Sequence, residues 1–293
     1  MVESNQKKKQ TRRSARKRGF GLSRRVGLLG AAGLLLGVGG LYAREMRSAN
    51  KPTLSLDGYR MTFSEEFDGA DFSIESFFKR WYPHTPWWGD FGDAEFMDPK
   101  PGFPFTVFDG HLRIEARKDE TGKWRSGLIS SINREGQGFS QKYGYFEVRA
   151  KMPPGPGVWP AFWLNSNMSR ESLDPAVEVD VVEYYGQFPK DVHSTVIVWP
   201  KGERKNRAVA NVHSVPDLRL SEGFHTYGVS VEPDWIIMYL DGEETWRTPT
   251  PVEHKYPLMI LCNLALGSGW PIDKTQNPSY MFIDYIRVYE KIV

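Results

Sequence analysis

The chain is poor in cysteine, in long helical patterns and in internal repeats. It has one cysteine, Cys262, among 293 residues, so it cannot form an internal disulfide framework. No stretch after residue 50 keeps a helical period for more than about two turns, which excludes helical bundles and parallel sheets with crossover helices. No segment recurs at a fixed period, which excludes solenoids and propellers. Within the apolar run LMILCNLAL, Cys262 is expected to be a small core residue.

Short runs with strand composition fill the rest of the chain, separated by many of its 28 glycines and 20 prolines. Asp109-Gly110 and Asp241-Gly242 are strong hairpin signals between such runs. The predicted strands are FTVFDGHLRIEAR, YGYFEVRAKM, VEVDVVEYY, HSTVIVW, HTYGVSVEPDWIIMYLDG and MFIDYIRVYE. Many antiparallel strands without crossover helices predict an all-β sandwich or jelly roll.

Positive charge is concentrated at the N-terminus. Residues 1–50 hold twelve of the 38 Lys and Arg but two of the 36 Asp and Glu, so the remainder carries 26 basic against 34 acidic residues. The run KKKQTRRSARKR would suit a nucleic-acid-binding arm. Because weakly polar to apolar residues follow from Val26 to Ala43, a membrane-targeting helix with a cytoplasmic N-terminus is favoured, and no nucleic-acid partner is expected.

This interpretation divides the chain into four parts. They are a basic cytoplasmic segment (1–25), a transmembrane anchor or signal segment (26–43), a linker (44–58) and a folded domain (59–293). An uncleaved anchor is favoured over a signal peptide, because LYA is a poor cleavage site and the basic lead is long. SRRVGLL weakly resembles a twin-arginine export signal. The expected location is therefore the inner membrane facing the periplasm, or outside the cell after export.

Three carboxylates lie in EVDVVEYYG, inside a stretch that otherwise has the composition of a buried strand. Strand side chains alternate, so Glu178 and Asp180 share a face and Glu183 takes the other. A β-bulge at Val181-Val182 would bring all three to one face, and bulges favour positions beside active sites. The two glutamates then approach each other only on a curved, concave sheet.

The alternative is an exposed edge strand whose acids pair with Lys or Arg. The flanking valines favour burial, and Arg170 is the only basic residue between Lys151 and Glu178. Clustered carboxylates do not all ionise easily, so one is expected to serve as an acid. An acid beside an ionised carboxylate is the pair that glycoside hydrolysis uses.

Aromatic residues make up 14% of the chain and concentrate in WYPHTPWW, VWPAFWLN and GSGWP. In an extended WPAFW, Trp159 and Trp163 share one face, and Phe162 and Leu164 take the other. Indole rings can stack on the C–H faces of sugars. Each tryptophan alone is more often a core residue, but its proximity to the acids favours a sugar platform.

Together, YGYFEVRAKMPPGPGVWPAFWLNS, EVDVVE, HTYGVSVEPDWIIMYLDG, NLALGSGWP and IDYIRVY resemble family 16 glycoside hydrolases, in the order typical of that family. The resemblance covers about residues 60 to 290. It implies a curved antiparallel β-sandwich, a concanavalin-like jelly roll with an open cleft on its concave sheet. It also implies endo-acting, retaining cleavage of a β-linked polysaccharide without a catalytic cofactor.

The resemblance assigns roles to individual residues. Glu178 would be the nucleophile, Glu183 the general acid/base and Asp180 the residue that tunes the pair. Substrate contacts would come from Trp159, Trp163, His193, Asn263 and Trp270. A structural Ca²⁺ would be held by Glu66, the carbonyl of Gly110 and Asp284, unless the two acids are ordinary surface residues.

Two positions differ from laminarinase-like members, where Ile197 replaces a histidine and Leu128 an arginine. These losses weaken a plain β-1,3-glucanase assignment, and SGLISS followed by GFSQKYGYFE resembles bacterial members that trim exopolysaccharides. The expected substrate is a β-linked glucan or a glucose-containing bacterial exopolysaccharide. The alternatives left open are a β-1,3-glucanase, a transglycosylase and a non-enzymatic carbohydrate-binding surface protein. The expected partners are a polysaccharide and, through the N-terminal segment, a membrane, with the domain a monomer.

Overall fold

The computed structural model describes residues 53–68, 73–87, 89–202, 205–215 and 219–292. The predicted segments 1–25 and 26–43, and most of the linker 44–58, lie outside these residues. Within the described part of the chain, no helix is both long enough and apolar enough to cross a bilayer. Thr53 bridges to Glu243, so the described chain already contacts the domain ahead of the predicted boundary at residue 59.

The described elements are almost entirely strands, with one short helix. Their bounds are β1 (Tyr59–Glu65), α1 (Ile74–Arg80), β2 (Glu95–Phe96), β3 (Phe105–Phe108), β4 (His111–Lys118), β5 (Trp124–Ser126), β6 (Leu128–Ser130), β7 (Ser140–Gln141), β8 (Gly144–Lys151), β9 (Val158–Ser166), β10 (Ala176–Glu183), β11 (Asp191–Trp199), β12 (Arg207–Ser214), β13 (His225–Val231), β14 (Trp235–Leu240), β15 (Glu243–Pro249), β16 (Leu258–Leu266) and β17 (Ser279–Lys291). The predicted all-β class is confirmed.

The strands form two sheets. The large sheet has ten strands in the order β15-β14-β13-β8-β17-β4-β5-β2, with β1 also on β17 and β3 also on β4. The small sheet has seven strands in the order β12-β11-β10-β9-β16-β6, with β7 also on β16. Within the described part of the chain, the strands pair antiparallel apart from the parallel pair β2–β5, as expected for a chain with short turns between strands.

Both predicted hairpin turns are confirmed. Asp109 and Gly110 have φ values of 52° and 71°, and Asp241 and Gly242 have 51° and 79°. A two-residue turn with positive φ at both positions matches the right-handed twist of the flanking strands, and Asp-Gly tolerates this conformation. The pairs β3–β4 and β14–β15 are therefore set by local sequence.

The main core lies between the two sheets. The small sheet turns its other face away from this core; we call it the outer face, and a second hydrophobic cluster covers it. Main-core residues include Phe146, Phe162 and Cys262, whereas Trp163 and Leu261 belong to the outer-face cluster. Every residue of β16 is buried because this strand has apolar neighbours on both faces, which explains its continuous apolar run. The expectation for Cys262 is confirmed, and burial raises the pKa of its thiol.

Candidate active site

A β-bulge in β10 brings the three carboxylates to the outer face. Register on both neighbouring strands shifts after Asp180, with Asp180 opposite Trp163 on β9 and Glu183 opposite His193 on β11. Val181 and Val182 are both buried in the main core, so two consecutive side chains point inward. The extra residue returns Glu183 to the face that carries Glu178 and Asp180, as the sequence predicted.

Glu178 is held by two N–H donors from the strands on either side. The side-chain amide of Asn165 on β9 donates to Oε2 at 3.0 Å, and the indole N–H of Trp199 on β11 donates to the same oxygen at 3.1 Å. Hydrogen bonds to a carboxylate favour its charged form. This environment suits a carboxylate that attacks as an anion.

Glu183 is also held by two donors, but one of them is a hydroxyl. Its Oε1 accepts from the indole N–H of Trp159 at 2.9 Å and from the hydroxyl of Tyr185 at 3.2 Å. The Tyr185 hydroxyl also lies 3.4 Å from Oγ of Ser268. Burial, followed by the charge of Glu183, raises the pKa of Tyr185, which therefore stays protonated and able to donate at neutral pH.

Asp180 lies between the two glutamates along the bulged strand and is itself buried, with 7% of its surface exposed. The predicted tuning role of Asp180 stays a prediction, but its position on the same face agrees with it.

His193 and Trp270 line one side of the site. The His193 ring makes an edge contact with Tyr185 at 4.9 Å, and burial lowers its pKa, which keeps it neutral near pH 7. Its Nε2 finds no hydrogen-bond partner among the described residues. Phe188 links His193 to Trp270, which is 45% exposed and presents its ring to solvent. Both residues remain candidates for substrate binding.

Trp163 and Asn263 lie beneath other side chains, although the sequence predicted them as substrate contacts. Only 6% of Trp163 and none of Asn263 is exposed, and the Trp163 N–H donates to Oδ1 of Asn263 at 2.8 Å. Trp87 and Phe91 pack on Trp163 with ring centroids 5.8 and 5.9 Å away. These two belong to a segment that we call the aromatic loop (82–87 and 89–94). A sugar would reach Trp163 or Asn263 only if this loop moved, so both roles stay predictions.

The two positions that depart from the laminarinase pattern also lie in the small sheet. Ile197 pairs with Glu178 across β10 and β11, and Leu128 pairs with Asn263 across β6 and β16. Ile197 is 8% exposed and Leu128 is completely buried. Apolar side chains therefore stand where a histidine and an arginine were expected to contact the substrate.

The three predicted calcium ligands lie close together on the large sheet, at the point where one edge of β17 stops pairing with β4 and begins to pair with β1. β4 pairs with β17 as far as Ile283, and β1 pairs with it from Ile286 onward. Glu66 follows β1, Gly110 precedes β4 and Asp284 lies in the gap between the two pairings. Sequence order alone did not show this convergence.

Arginine side chains already contact both predicted carboxylate ligands. Arg287 donates two hydrogen bonds to Glu66, at 2.9 and 2.7 Å, and thereby lowers the pKa of Glu66. Asp284 pairs with Arg149. Among the described residues, no group of three or more His, Cys, Asp or Glu is arranged to hold a metal ion. A cation would fit here only if it replaced the guanidinium groups as the partner of both carboxylates.

Sequence reasoning missed three residues that orient the glutamates. Asn165 lies two positions after Trp163 on the same face of β9, and Trp199 lies two positions after Ile197 on β11. Tyr185 follows Glu183 by two residues. Because strand side chains alternate between faces, positions two residues from Trp163, Ile197 and Glu183 lie on the same face as the carboxylates, and this alternation is the signal that predicts all three.

Comparisons with known proteins match the folded domain to glycoside hydrolases. The model of the glycosyl hydrolases family 16 matches residues 104–287. Endo-1,3-1,4-β-glycanase EglC of Rhizobium meliloti (strain 1021) is 32% identical over 267 residues, covering 82% of this chain and 54% of EglC. Endo-1,3-1,4-β-glycanase ExsH of the same strain is 38% identical over 196 residues, covering 64% of this chain and 39% of ExsH. The chain thus spans about half or less of these relatives' length.

A solved catalytic domain has the same fold, and the match covers nearly the whole length of that domain. The catalytic domain of an endo-1,3-β-glucanase (laminarinase) from Thermotoga petrophila RKU-1 superposes with a TM-score of 0.66 at 27% identity. The match covers 80% of this chain and 98% of that domain. The bulged strand and its carboxylates lie within the matched family region.

Proposed function

The chain belongs to the glycosyl hydrolases family 16, and on that premise we propose that it is a retaining endo-β-glycanase. Its substrate would be a β-linked glucan or a glucose-containing bacterial exopolysaccharide. The observation that carries the proposal is the bulge in β10, which sets Glu178 and Glu183 on one face, each oriented by two donors. Glycosidases of this family need no cofactor for catalysis.

The reaction would proceed by two displacements at the anomeric carbon. Glu178 attacks as a carboxylate while Glu183 protonates the leaving oxygen, and a covalent glycosyl-enzyme forms. Glu183 then takes a proton from water as the water oxygen bonds to the anomeric carbon and the bond to Glu178 breaks, which releases the sugar with its original configuration. Retaining enzymes hold the two carboxyl groups about 5 Å apart. The N–H donors on Glu178 support the anionic role, because an indole can donate but cannot accept.

The preference for a glucose-containing exopolysaccharide or mixed-linkage glucan rests on two observations. EglC and ExsH, which are named endo-1,3-1,4-β-glycanases, share 32% and 38% identity with this chain. In addition, Ile197 and Leu128 replace two polar residues expected in laminarinase-like sites. A plain β-1,3-glucanase is the second candidate, supported by the likeness to the Thermotoga petrophila domain.

Product analysis on a substrate panel tests the proposal. The purified full chain would be incubated with β-1,3-glucan, β-1,3-1,4-glucan and an acidic glucose-containing exopolysaccharide, and the products would be sized over time. Endo cleavage gives an early fall in polymer length, and fastest cleavage of the exopolysaccharide or mixed-linkage glucan supports the stated preference. Fastest cleavage of β-1,3-glucan supports the second candidate, and products longer than the substrate would indicate transglycosylation. Binding without cleavage of any polymer would refute the enzymatic proposal.

We also propose that residues 26–43 hold the domain at the periplasmic face of the inner membrane or direct its export. The support is the sequence alone, namely the basic flank followed by the apolar run from Val26 to Ala43.

A structural calcium ion near Glu66, Gly110 and Asp284 remains a further proposal. Its support is the family resemblance and the convergence of the three residues at β17. The arginines that pair with both carboxylates compete with it. The ion would stabilise the large sheet and take no part in catalysis.

A further inference from the structure

Two hydrogen bonds meet at a single oxygen of the proposed acid/base residue. The indole N–H of Trp159 and the hydroxyl of Tyr185 both donate to Oε1 of Glu183, at 2.9 and 3.2 Å. A carboxylate oxygen offers about two lone-pair positions, so these donors occupy the acceptor positions of Oε1. A proton carried by Glu183 as an acid therefore belongs on Oε2.

We propose that Trp159 and Tyr185 are positioning residues that keep Oε1 of Glu183 as an acceptor and direct its transferable proton to Oε2. This inference rests on the proposed function, because it concerns the acid/base step of the same reaction. In the first step the Oε2 proton passes to the glycosidic oxygen as that C–O bond breaks and the bond to Glu178 forms. In the second step Oε2 receives a proton from water as the water oxygen bonds to the anomeric carbon and the bond to Glu178 breaks.

The two donors are held in place from three separate parts of the fold. Trp159 lies on β9, and its ring contacts Phe91 of the aromatic loop at 5.4 Å. The rings of Trp159 and Tyr185 are nearly parallel, with an interplanar angle of 10° and centroids 6.4 Å apart. Ser268, which follows β16, lies 3.4 Å from the Tyr185 hydroxyl. A donor fixed on several sides is preorganised, so it need not be ordered during the reaction.

A pH experiment on Glu183 must also consider the other titratable groups that face it. Asp180 and Glu178 share its face on β10, and His193 lies opposite it on β11. Burial lowers the pKa of His193, so this ring is neutral along the alkaline limb of the profile and adds no charge there. Replacing Tyr185 by Phe keeps the ring beside His193 and removes only the hydroxyl.

Tyr185→Phe therefore removes one of two donors to a single oxygen. Hydrogen bonds to the charged form of a carboxyl favour that form, so the variant holds its proton more tightly. The alkaline limb of kcat/KM, which reports loss of the acid's proton, should move to higher pH by about one unit, since one bond to a charged group contributes roughly a factor of ten. At the optimum, kcat/KM on polysaccharide should fall about threefold, because an acid that holds its proton about ten times more tightly transfers it less readily, by roughly half that factor on a logarithmic scale.

Tyr184→Phe is the matched control. Tyr184 is the neighbouring residue, but it is completely buried in the main core on the opposite face. Its variant should keep the wild-type pH profile and rate on every substrate. An aryl glycoside whose leaving group needs no proton is the second control, because its kcat/KM should change less than about twofold in Tyr185→Phe.

Each outcome bears on the proposal. A shifted alkaline limb with selective loss on polysaccharide supports it. An unmoved limb, or an equal loss on both substrates, would overturn it and leave Tyr185 a packing residue. If the wild-type chain cleaves none of the substrates, the proposed function fails instead, and the two failures are distinct because the first requires an active wild-type enzyme.

Discussion

The donors on Glu178 make a prediction about the opposite limb of the pH profile. Trp199→Phe keeps an aromatic ring on β11 but removes the indole N–H that lies 3.1 Å from Oε2 of Glu178. Asn165→Ala removes the second donor, at 3.0 Å. Both donors stabilise the ionised carboxylate, so losing either one should make Glu178 harder to deprotonate.

The expected magnitude follows from the geometry. A hydrogen bond to a charged group contributes about 1.5–3 kcal/mol, and Glu178 is partly exposed, so the lower value applies. About 1.4 kcal/mol corresponds to one pH unit, and the acidic limb of kcat/KM should move up by about one unit in each single variant. The double variant should shift by less than twice that amount, because both donors share one acceptor and their effects are coupled.

The assay is kcat/KM against pH on both a polysaccharide and an activated aryl glycoside. The two substrates should respond alike, because both need the nucleophile, in contrast to Tyr185→Phe. Trp235→Phe is the control, since Trp235 lies on β14 of the large sheet and is 41% exposed. If the acidic limb stays in place in Trp199→Phe and Asn165→Ala, Glu178 is not the ionised nucleophile, and the assignment of roles is wrong.

Three further outcomes test other parts of the proposal. With azide and an activated aryl glycoside, Glu183→Ala should release a β-glycosyl azide, whereas Glu178→Ala should give the inverted α-product. The configuration of each product is measured by NMR, and identical configurations would contradict the assigned roles. If calcium binds near Glu66 and Asp284, a chelator should lower the melting temperature of the purified chain and added calcium should restore it, whereas superimposable melting curves would argue against the ion. Deleting residues 1–50 should give a soluble, active enzyme and move the protein from the membrane to the soluble fraction, so an insoluble truncation or a wholly cytosolic full chain would remove support for the anchor.

Features encoded by neighbouring residues were predictable from the sequence. The Asp-Gly turns at 109–110 and 241–242 need only two residues with positive φ, and the structure has them. The bulge at Val181-Val182 followed from the need to place three acids on one face of an otherwise apolar strand. In both cases the determining interaction lies within a few positions of the chain.

The aromatic loop was not predictable, because it depends on contacts between distant parts of the chain. Its residues have no strand or helix period, and Trp87 and Phe91 meet Trp163 more than 70 positions later. Composition alone therefore could not distinguish an open sugar platform from a tryptophan covered by other rings. The pairing of Glu66 and Asp284 with arginines escaped prediction for the same reason.

The register of β9 fixes the positions of its active-site side chains together with those of its core side chains. On β9, Phe162 and Leu164 point into the main core, and Trp159 and Asn165 lie on the outer face with the glutamates they bind. A shift of one residue would turn every side chain to the other face. It would bury the Asn165 amide without a partner, at a cost of about 1–3 kcal/mol, and expose two large apolar side chains. The packing that stabilises β9 in the sandwich therefore also keeps one donor on each glutamate, so a substitution that loosens the register should impair both carboxylates together.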